Sequence, residues 1–123
     1  MLIRAGQMLD WPAEQYPDRI ALSYQGRHWT YRETDERINR LANAIIALGL
    51  STGDRVATLQ ANSPYAVETR FALLKAGHCI VALNVRQAPA EHVYILNHSE
   101  SRVLVSTPST CRSGDRSGPS APA

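Results

Sequence analysis

Few side chains in this sequence occur in patterns typical of catalytic or ligand-binding sites. The only lysine is Lys75, which falls in a helical pattern ending at Gly77. The glycines occur one at a time, so no loop directs several backbone N–H groups at a polyphosphate. Residues 109–114, STCRSG, are small and polar like a phosphate-binding loop, but they lack a lysine and a strand–turn–helix context. We therefore predict no phosphate-binding site in this chain.

The histidines and serines form no recognisable catalytic or metal site either. A metal site on a helix requires two histidines three or four residues apart together with a carboxylate ligand. None of the four histidines belongs to such a pair. The four are His28, His78, His92 and His98. Ser63 and Ser99 lack the Gly-x-Ser-x-Gly turn of a hydrolase nucleophile. We predict surface or strand histidines, with no catalytic, cofactor-binding or metal-ligating residue.

Two pairs of residues flank the start of the first long predicted helix. Trp29 and Tyr31 are expected to pack against that helix. Asp35 and Glu36 are expected to favour its positive N-terminal dipole and not to act as an acid/base pair.

Composition excludes several classes of protein. The 123 residues are 44% hydrophobic and 20% charged with a net charge of +2, which is typical of a globular protein. The arginines are dispersed, so no basic stripe for nucleic acid is present. A Gly-x-Gly-x-x-Gly fingerprint is absent, which argues against a dinucleotide oxidoreductase.

Neither a membrane location nor a disulfide framework is predicted. Residues 1–7 have no apolar run of signal-peptide length, and no segment reaches the roughly 18 apolar residues of a membrane span. A cytoplasmic location is the resulting expectation. The two cysteines do not have the number or spacing of a disulfide or zinc framework, and Cys79 is predicted to be a buried free thiol, whereas Cys111 lies in a polar tail.

The first half of the chain predicts a hairpin followed by a helix. Residues 20–24 and 27–30 alternate around a Gln-Gly turn, which is typical of a β-hairpin. Thr30 and Glu33 have the spacing of a capping box. The helix that follows is predicted to end at Gly49 and to bury one stripe of side chains, namely Ile38, Leu41, Ile45 and Leu48.

The second half alternates strands and helices. Residues 56–59 and 79–83 are predicted strands covered on both faces, and residues 103–105 are a third strand. Between them, Ser63 and Pro64 open a helix that Gly77 closes, and Pro89 opens another through about Leu96. The first of these helices is predicted to bury a stripe made of Val67, Phe71 and Leu74. The fold class is therefore α/β, an N-terminal β-hairpin followed by strand–helix alternation that forms part of a parallel sheet.

From Ser106 onward the composition changes to Ser, Thr, Pro, Gly and Arg without an apolar pattern. We predict one partial subdomain over residues 1–105 and a disordered tail over residues 106–123.

Six short segments succeed one another along the chain: residues 16–22 (YPDRIAL), 29–33 (WTYRE), 37–42 (RINRLA), 49–57 (GLSTGDRVA), 62–64 (NSP) and 73–77 (LLKAG). In this order, over about residues 15–105, they resemble successive landmarks of the adenylate-forming superfamily, and of its AMP-forming acyl-CoA synthetases in particular. Three positions depart from the family pattern. Thr34 stands where leucine is usual, His78 where a small residue is usual, and Val85 where proline is usual.

The resemblance implies a reaction for the parent enzyme. Family members use ATP and Mg²⁺ to convert a carboxylic or fatty acid to acyl-AMP, and this branch passes the acyl group to coenzyme A. They do so with a lysine-containing phosphate loop, an acidic residue near Mg²⁺, an aspartate on the ribose and a lysine in a mobile C-terminal domain. No segment of this sequence matches those motifs, and the sheet is incomplete relative to the family domain.

The leading hypothesis is a truncated N-terminal portion of an AMP-forming acyl-CoA synthetase without ligase activity alone. A frameshift or premature stop near Ser106 would explain the change of composition. One half of a split ligase and a non-catalytic α/β binding or interaction module remain the alternatives. The expected partners are a complementing polypeptide or further copies of the chain, which would associate through an exposed sheet edge.

Overall fold

A computed structural model describes residues 5–107. A short 3-10 helix, Ala5–Gln7, precedes four α-helices and five β-strands. The helices are α1 (Asp10–Gln15), α2 (Tyr31–Ile46), α3 (Pro64–Ala76) and α4 (Pro89–Ser99). The strands are β1 (Ile20–Tyr24), β2 (Arg27–Thr30), β3 (Arg55–Leu59), β4 (Cys79–Ala82) and β5 (Val103–Ser106). The predicted fold class is confirmed, whereas the 3-10 helix and α1 were not predicted.

The N-terminal hairpin forms as its turn chemistry predicts. β1 and β2 pair antiparallel, with Tyr24 opposite Arg27. Gln25 and Gly26 both have positive φ, 49° and 77°. Two consecutive positive φ angles are typical of the type I′ turn, whose twist matches that of the strands it joins.

The start of α2 is confirmed, but its end is earlier than predicted. The hydroxyl of Thr30 accepts a hydrogen bond from the backbone N–H of Glu33 at 3.2 Å, and the Glu33 carboxylate accepts one from the Thr30 N–H at 3.2 Å. Ile38 and Ile45 are buried as expected. The helix ends at Ile46, so Leu48 lies beyond it and is 61% exposed. Assigning Leu48 to the buried stripe was therefore wrong.

The parallel sheet has three strands in the order β4-β3-β5. The central strand β3 is covered on both faces, since Val56 and Ala57 are 1% and 0% exposed. The outer strand β4 is not covered in this way, because Cys79 and Ala82 are exposed. The prediction of a buried Cys79 thiol was therefore wrong, since it treated an outer strand as a central one.

α3 begins and ends as predicted but buries other residues. The Ser63 hydroxyl accepts a hydrogen bond from the backbone N–H of Ala66, and Gly77 closes the helix with φ of 86°. The predicted stripe of Val67, Phe71 and Leu74 is only half-buried. The buried residues of α3 are Pro64, Ala66, Glu68, Thr69, Ala72 and Leu73.

The core lies between α2, α3 and one face of the parallel sheet. Its buried members are Ile38, Ala42, Ile45, Val56, Ala72 and Leu73. Val103 and Val105 pack against this cluster from β5. Successive strand residues point to opposite faces, so Leu104 faces away from the core, where it is 40% exposed.

Two buried polar atoms have no hydrogen-bond partner among the described residues, the Thr34 hydroxyl oxygen and His78 Nδ1. Both belong to positions that depart from the family pattern described above. Leucine or a small residue at these positions would bury no such atom. The departures therefore carry a desolvation cost that the usual residues avoid.

The C-terminal boundary is described in part. α4 runs to Ser99, beyond the predicted end near Leu96, and β5 includes Ser106. Residues 108–123, which contain most of the predicted tail as well as Cys111 and the segment 109–114, lie outside the described residues. Among residues 5–107, no helix combines the length and apolar character needed to cross a membrane.

Candidate functional site

A cleft of about 590 Å³ opens where β3 and β5 end. Its walls come from β1, α2, α3, the end of β5 and the segments that follow β3 and β5. The lining residues are Tyr24, Leu41, Gln60, Ala61, Asn62, Ser63, Tyr65, Glu68, Thr69, Val105, Ser106 and Thr107. The carboxyl ends of parallel strands are where open α/β sheets hold ligands. This position makes the cleft the leading candidate site among the described residues.

One charged side chain, Glu68, lines the cleft. Its carboxylate is 7% exposed and accepts two hydrogen bonds from Arg37, one from Nε at 2.5 Å and one from Nη2 at 3.2 Å. The hydrogen bond from Arg37 to Glu68 is the main reason why the pKa of Arg37 is raised above its ordinary value, while burial opposes the shift. The negative charge in the wall is thus neutralised by a forked ion pair that ties α2 to α3.

Uncharged polar groups gather at one side of the cleft. Gln60 Nε2 donates to Thr69 Oγ1 at 3.2 Å, and the Thr69 hydroxyl donates to the backbone oxygen of Tyr65 at 2.8 Å. Gln60 Oε1 takes no part in these bonds. Asn62, which also lines the cleft, is exposed. The cleft therefore offers uncharged hydrogen-bonding groups beside an apolar wall.

Lys75 lies outside the cleft, in a cluster that joins three helices. Its Nζ donates to Asp10 on α1 at 3.0 Å, and to Asp35 and Asn39 on α2 at 3.2 and 2.8 Å. Burial opposes the charge on Lys75, but the hydrogen bonds to Asp10 and Asp35 outweigh it, so the pKa of Lys75 is raised. This lysine is engaged in holding helices together.

The N-terminal 3-10 helix packs closely on α3 beside that lysine. A Cβ atom added at Gly6 would lie 2.8 Å from the Cα of Lys75, closer than real side chains approach. Gly6 is therefore the residue that permits this contact.

The four histidines are spread over the molecule. His28 hydrogen-bonds Ser23 at 2.7 Å, His92 hydrogen-bonds the Asn84 backbone oxygen at 2.7 Å, and His98 stacks on Tyr94. His78 is buried just before β4, unlike the surface or strand position expected for it. No group of three or more His, Cys, Asp or Glu residues able to hold a metal ion occurs within residues 5–107.

The other candidate residues have structural partners. Ser63 caps α3, and the Ser99 hydroxyl lies 2.7 Å from that of Ser101. Trp29 is buried at the end of the hairpin, next to the start of α2. Asp35 takes part in the Lys75 cluster, a role that its position near the helix start did not indicate, while Glu36 is exposed.

The cleft does not fit the nucleotide that the resemblance implies. Within residues 5–107, its lining contains no lysine, arginine or histidine. A triphosphate requires several cationic or backbone N–H donors, and the guanidinium of Arg37, which contacts the lining residue Glu68, is already engaged by that carboxylate. We therefore derive no step that involves ATP or Mg²⁺ at this cleft.

Comparisons with known proteins agree with the landmarks in the sequence. Residues 9–120 match the family described as AMP-binding enzyme, so the match continues past Ser106, where the composition changes. The feruloyl-CoA synthase of an Amycolatopsis species is 41% identical over 101 residues, which are 80% of this chain and 21% of that protein. The crotonobetaine/carnitine–CoA ligase of Salmonella paratyphi A is 37% identical over 106 residues, 82% of this chain and 20% of that protein.

Solved structures are similar over the same part of the chain. The N-terminal subdomain of Klebsiella oxytoca NpsA superposes with a TM-score of 0.80 at 30% identity, covering 85% of this chain and 28% of that one. The O-succinylbenzoate coenzyme A synthetase of Bacillus subtilis gives a TM-score of 0.78 at 30% identity, covering 82% and 28%. The chain thus spans about a fifth of the length of the curated relatives it matches.

Proposed function

Because this chain belongs to the AMP-binding enzyme family and corresponds to an N-terminal portion of its acyl-CoA synthetases, we propose that it forms part of the scaffold of an AMP-forming acid–CoA ligase. The parent reaction is the ATP-dependent activation of a carboxylic or fatty acid to acyl-AMP and then to acyl-CoA. The residues of this chain span about a fifth of such a ligase, and we expect no ligase activity from them alone. One observation supports this proposal: the relatives match most of this chain, but the match covers only about a fifth of each relative.

The reason for inactivity lies in the chemistry of phosphoryl transfer. Attack on the α-phosphate of ATP develops negative charge that positioned cations and N–H donors must neutralise. Arg37 and Lys75 are cations among the described residues that could neutralise such charge. Both already form ion pairs with carboxylates. We therefore propose that cofactor binding depends on residues outside the described ones, for example on a complementing polypeptide. We also propose a cytoplasmic location.

The purified chain is expected to release no pyrophosphate from ATP in the presence of Mg²⁺ and coenzyme A. Ferulic, hydroxybenzoic and long-chain fatty acids are suitable test acids, because relatives are named for them. A coupled pyrophosphate assay checks this, with a full-length relative as the positive control. Multiple-turnover release by the chain, reproduced in independent preparations, would refute the proposal.

The chain is also expected to self-associate through its sheet. β4 and β5 are the outer strands of the described sheet, and Leu104 on β5 is 40% exposed on the face opposite the core. Sedimentation velocity should show a concentration-dependent rise in mass that Leu104→Lys reduces. Ile46→Lys, which places the same charge at an exposed position on α2, should leave association unchanged. A monomer at every concentration, or an equal effect of the two variants, would contradict this expectation.

A further inference from the structure

We propose that the cleft at the ends of β3 and β5 binds an uncharged, mainly apolar small molecule that carries one hydrogen-bonding group. Its volume of about 590 Å³ lies within the roughly 300–1,000 Å³ range of small-molecule sites. This inference is separate from the ligase reaction, because it requires neither ATP nor a carboxylate.

The charges of the lining select against an acid. Among the described residues, Glu68 is the only ionised one in the lining, and Arg37 already forms a bidentate ion pair with it. A carboxylate or phosphate in the cleft would be desolvated beside a carboxylate, and the described lining residues include no cation to receive it. A neutral molecule incurs no such penalty.

A cationic ligand is also disfavoured. It would have to compete with Arg37 for the Glu68 carboxylate, whose two oxygens are both engaged in hydrogen bonds. The Arg37 guanidinium would lie close to the incoming positive charge, and like charges in a partly buried site repel one another. The lining therefore fits neither an anionic nor a cationic ligand.

The apolar and polar walls define the rest of the ligand. Leu41 and Val105 supply aliphatic surface, and Tyr24 and Tyr65 supply aromatic surface at the rim. Gln60 donates to Thr69 through Nε2, so its Oε1 is the atom of this side chain that can accept a hydrogen bond from a ligand. An apolar body with one N–H or O–H donor matches this arrangement.

A pair of fluorescent probes that differ by one charged group tests the proposal. N-phenyl-naphthylamine is neutral, is apolar and carries one N–H, whereas anilinonaphthalene sulfonate adds a sulfonate to the same rings. The neutral probe is expected to bind saturably with a stoichiometry of one, and the sulfonate at least about tenfold more weakly, the ratio that corresponds to about 1.4 kcal/mol. Equal affinity for the two probes would overturn the proposal, because nonspecific apolar surface does not reject the anion.

Substitutions locate the binding site. Ala61 is an exposed lining residue after β3, so Ala61→Phe should fill the cleft and weaken binding of the neutral probe about tenfold or more. Tyr65→Ala, at a position that is 42% exposed, should weaken it several-fold by removing an aromatic wall.

Ala90→Phe is the matched control, because it adds the same ring at an exposed position on α4 outside the cleft. It should leave probe binding unchanged, and circular dichroism should show all three variants folded. Unaltered binding in both Ala61→Phe and Tyr65→Ala would overturn the assignment. Neither probe experiment depends on pyrophosphate release, so failure of this inference and failure of the ligase proposal are distinguishable.

Discussion

Arg37→Met is expected to lower the free energy of unfolding by about 2–3 kcal/mol, because it leaves the carboxylate of Glu68 buried without its partner. The two side chains differ in burial, since that of Glu68 is 7% exposed and that of Arg37 is 42% exposed. An isolated buried carboxylate retains its desolvation cost, whereas an arginine at the edge can turn to water. Urea denaturation at neutral pH measures the difference.

A substitution of the other partner in the ion pair, Glu68, is the matched comparison. Glu68→Gln keeps the size of the side chain and one hydrogen-bond acceptor, and it frees a guanidinium that reaches solvent, so a loss of only about 1 kcal/mol is expected. The double variant Arg37→Met, Glu68→Leu should be more stable than Arg37→Met alone, because no buried charge remains. Equal losses for Arg37→Met and Glu68→Gln would show that the asymmetry of burial does not govern this pair.

Features set by neighbouring residues were predictable from the sequence. The hairpin follows from two turn residues that tolerate positive φ, and the start of α2 follows from Thr30 and Glu33, three residues apart. The cap of α3 by Ser63 is equally local. In each case the partners lie within one turn of the chain, so the pattern of residues contains the interaction.

Features that depend on tertiary packing were not predictable in this way. α3 contacts α2, the sheet and the N-terminal 3-10 helix, so it buries Glu68, Thr69 and Leu73 around more than one side. A helix covered on several sides has no single apolar stripe, and the predicted stripe was therefore misplaced. Cys79 was predicted to be buried because an apolar run does not reveal whether a strand is central or outer.

The cleft could not be predicted either, because it is assembled from distant segments. Tyr24 on β1, Glu68 on α3 and Val105 on β5 meet only in the folded chain. The one local signal was the polar run at residues 60–63 directly after a buried strand, at the edge where parallel strands end. That signal gives the position of a cleft but not its charge, which depends on the pairing of Glu68 with Arg37.

Lys75→Met is expected to lower the free energy of unfolding by about 2 kcal/mol. Methionine keeps the length of the side chain but removes the charge that two carboxylates, those of Asp10 and Asp35, share. These partners lie 65 and 40 residues away in sequence, so the loss should loosen α1 and α2 from α3 together. Arg70→Met is the control, since it removes an exposed cation from the same helix and should change stability by less than about 0.5 kcal/mol.

The pH dependence of that difference distinguishes charge from packing. The pKa of Lys75 is raised in the folded chain, so the unfolded chain releases this proton first as pH rises. The contribution of Lys75 is therefore fully present below its ordinary value of 10.5 and is lost as pH rises through the folded pKa. The stability gap between the wild type and Lys75→Met should consequently close in alkaline solution. A gap that persists unchanged at high pH would mean that Lys75 stabilises the three helices through the packing of its aliphatic stem, and the charge would then have no part in joining them.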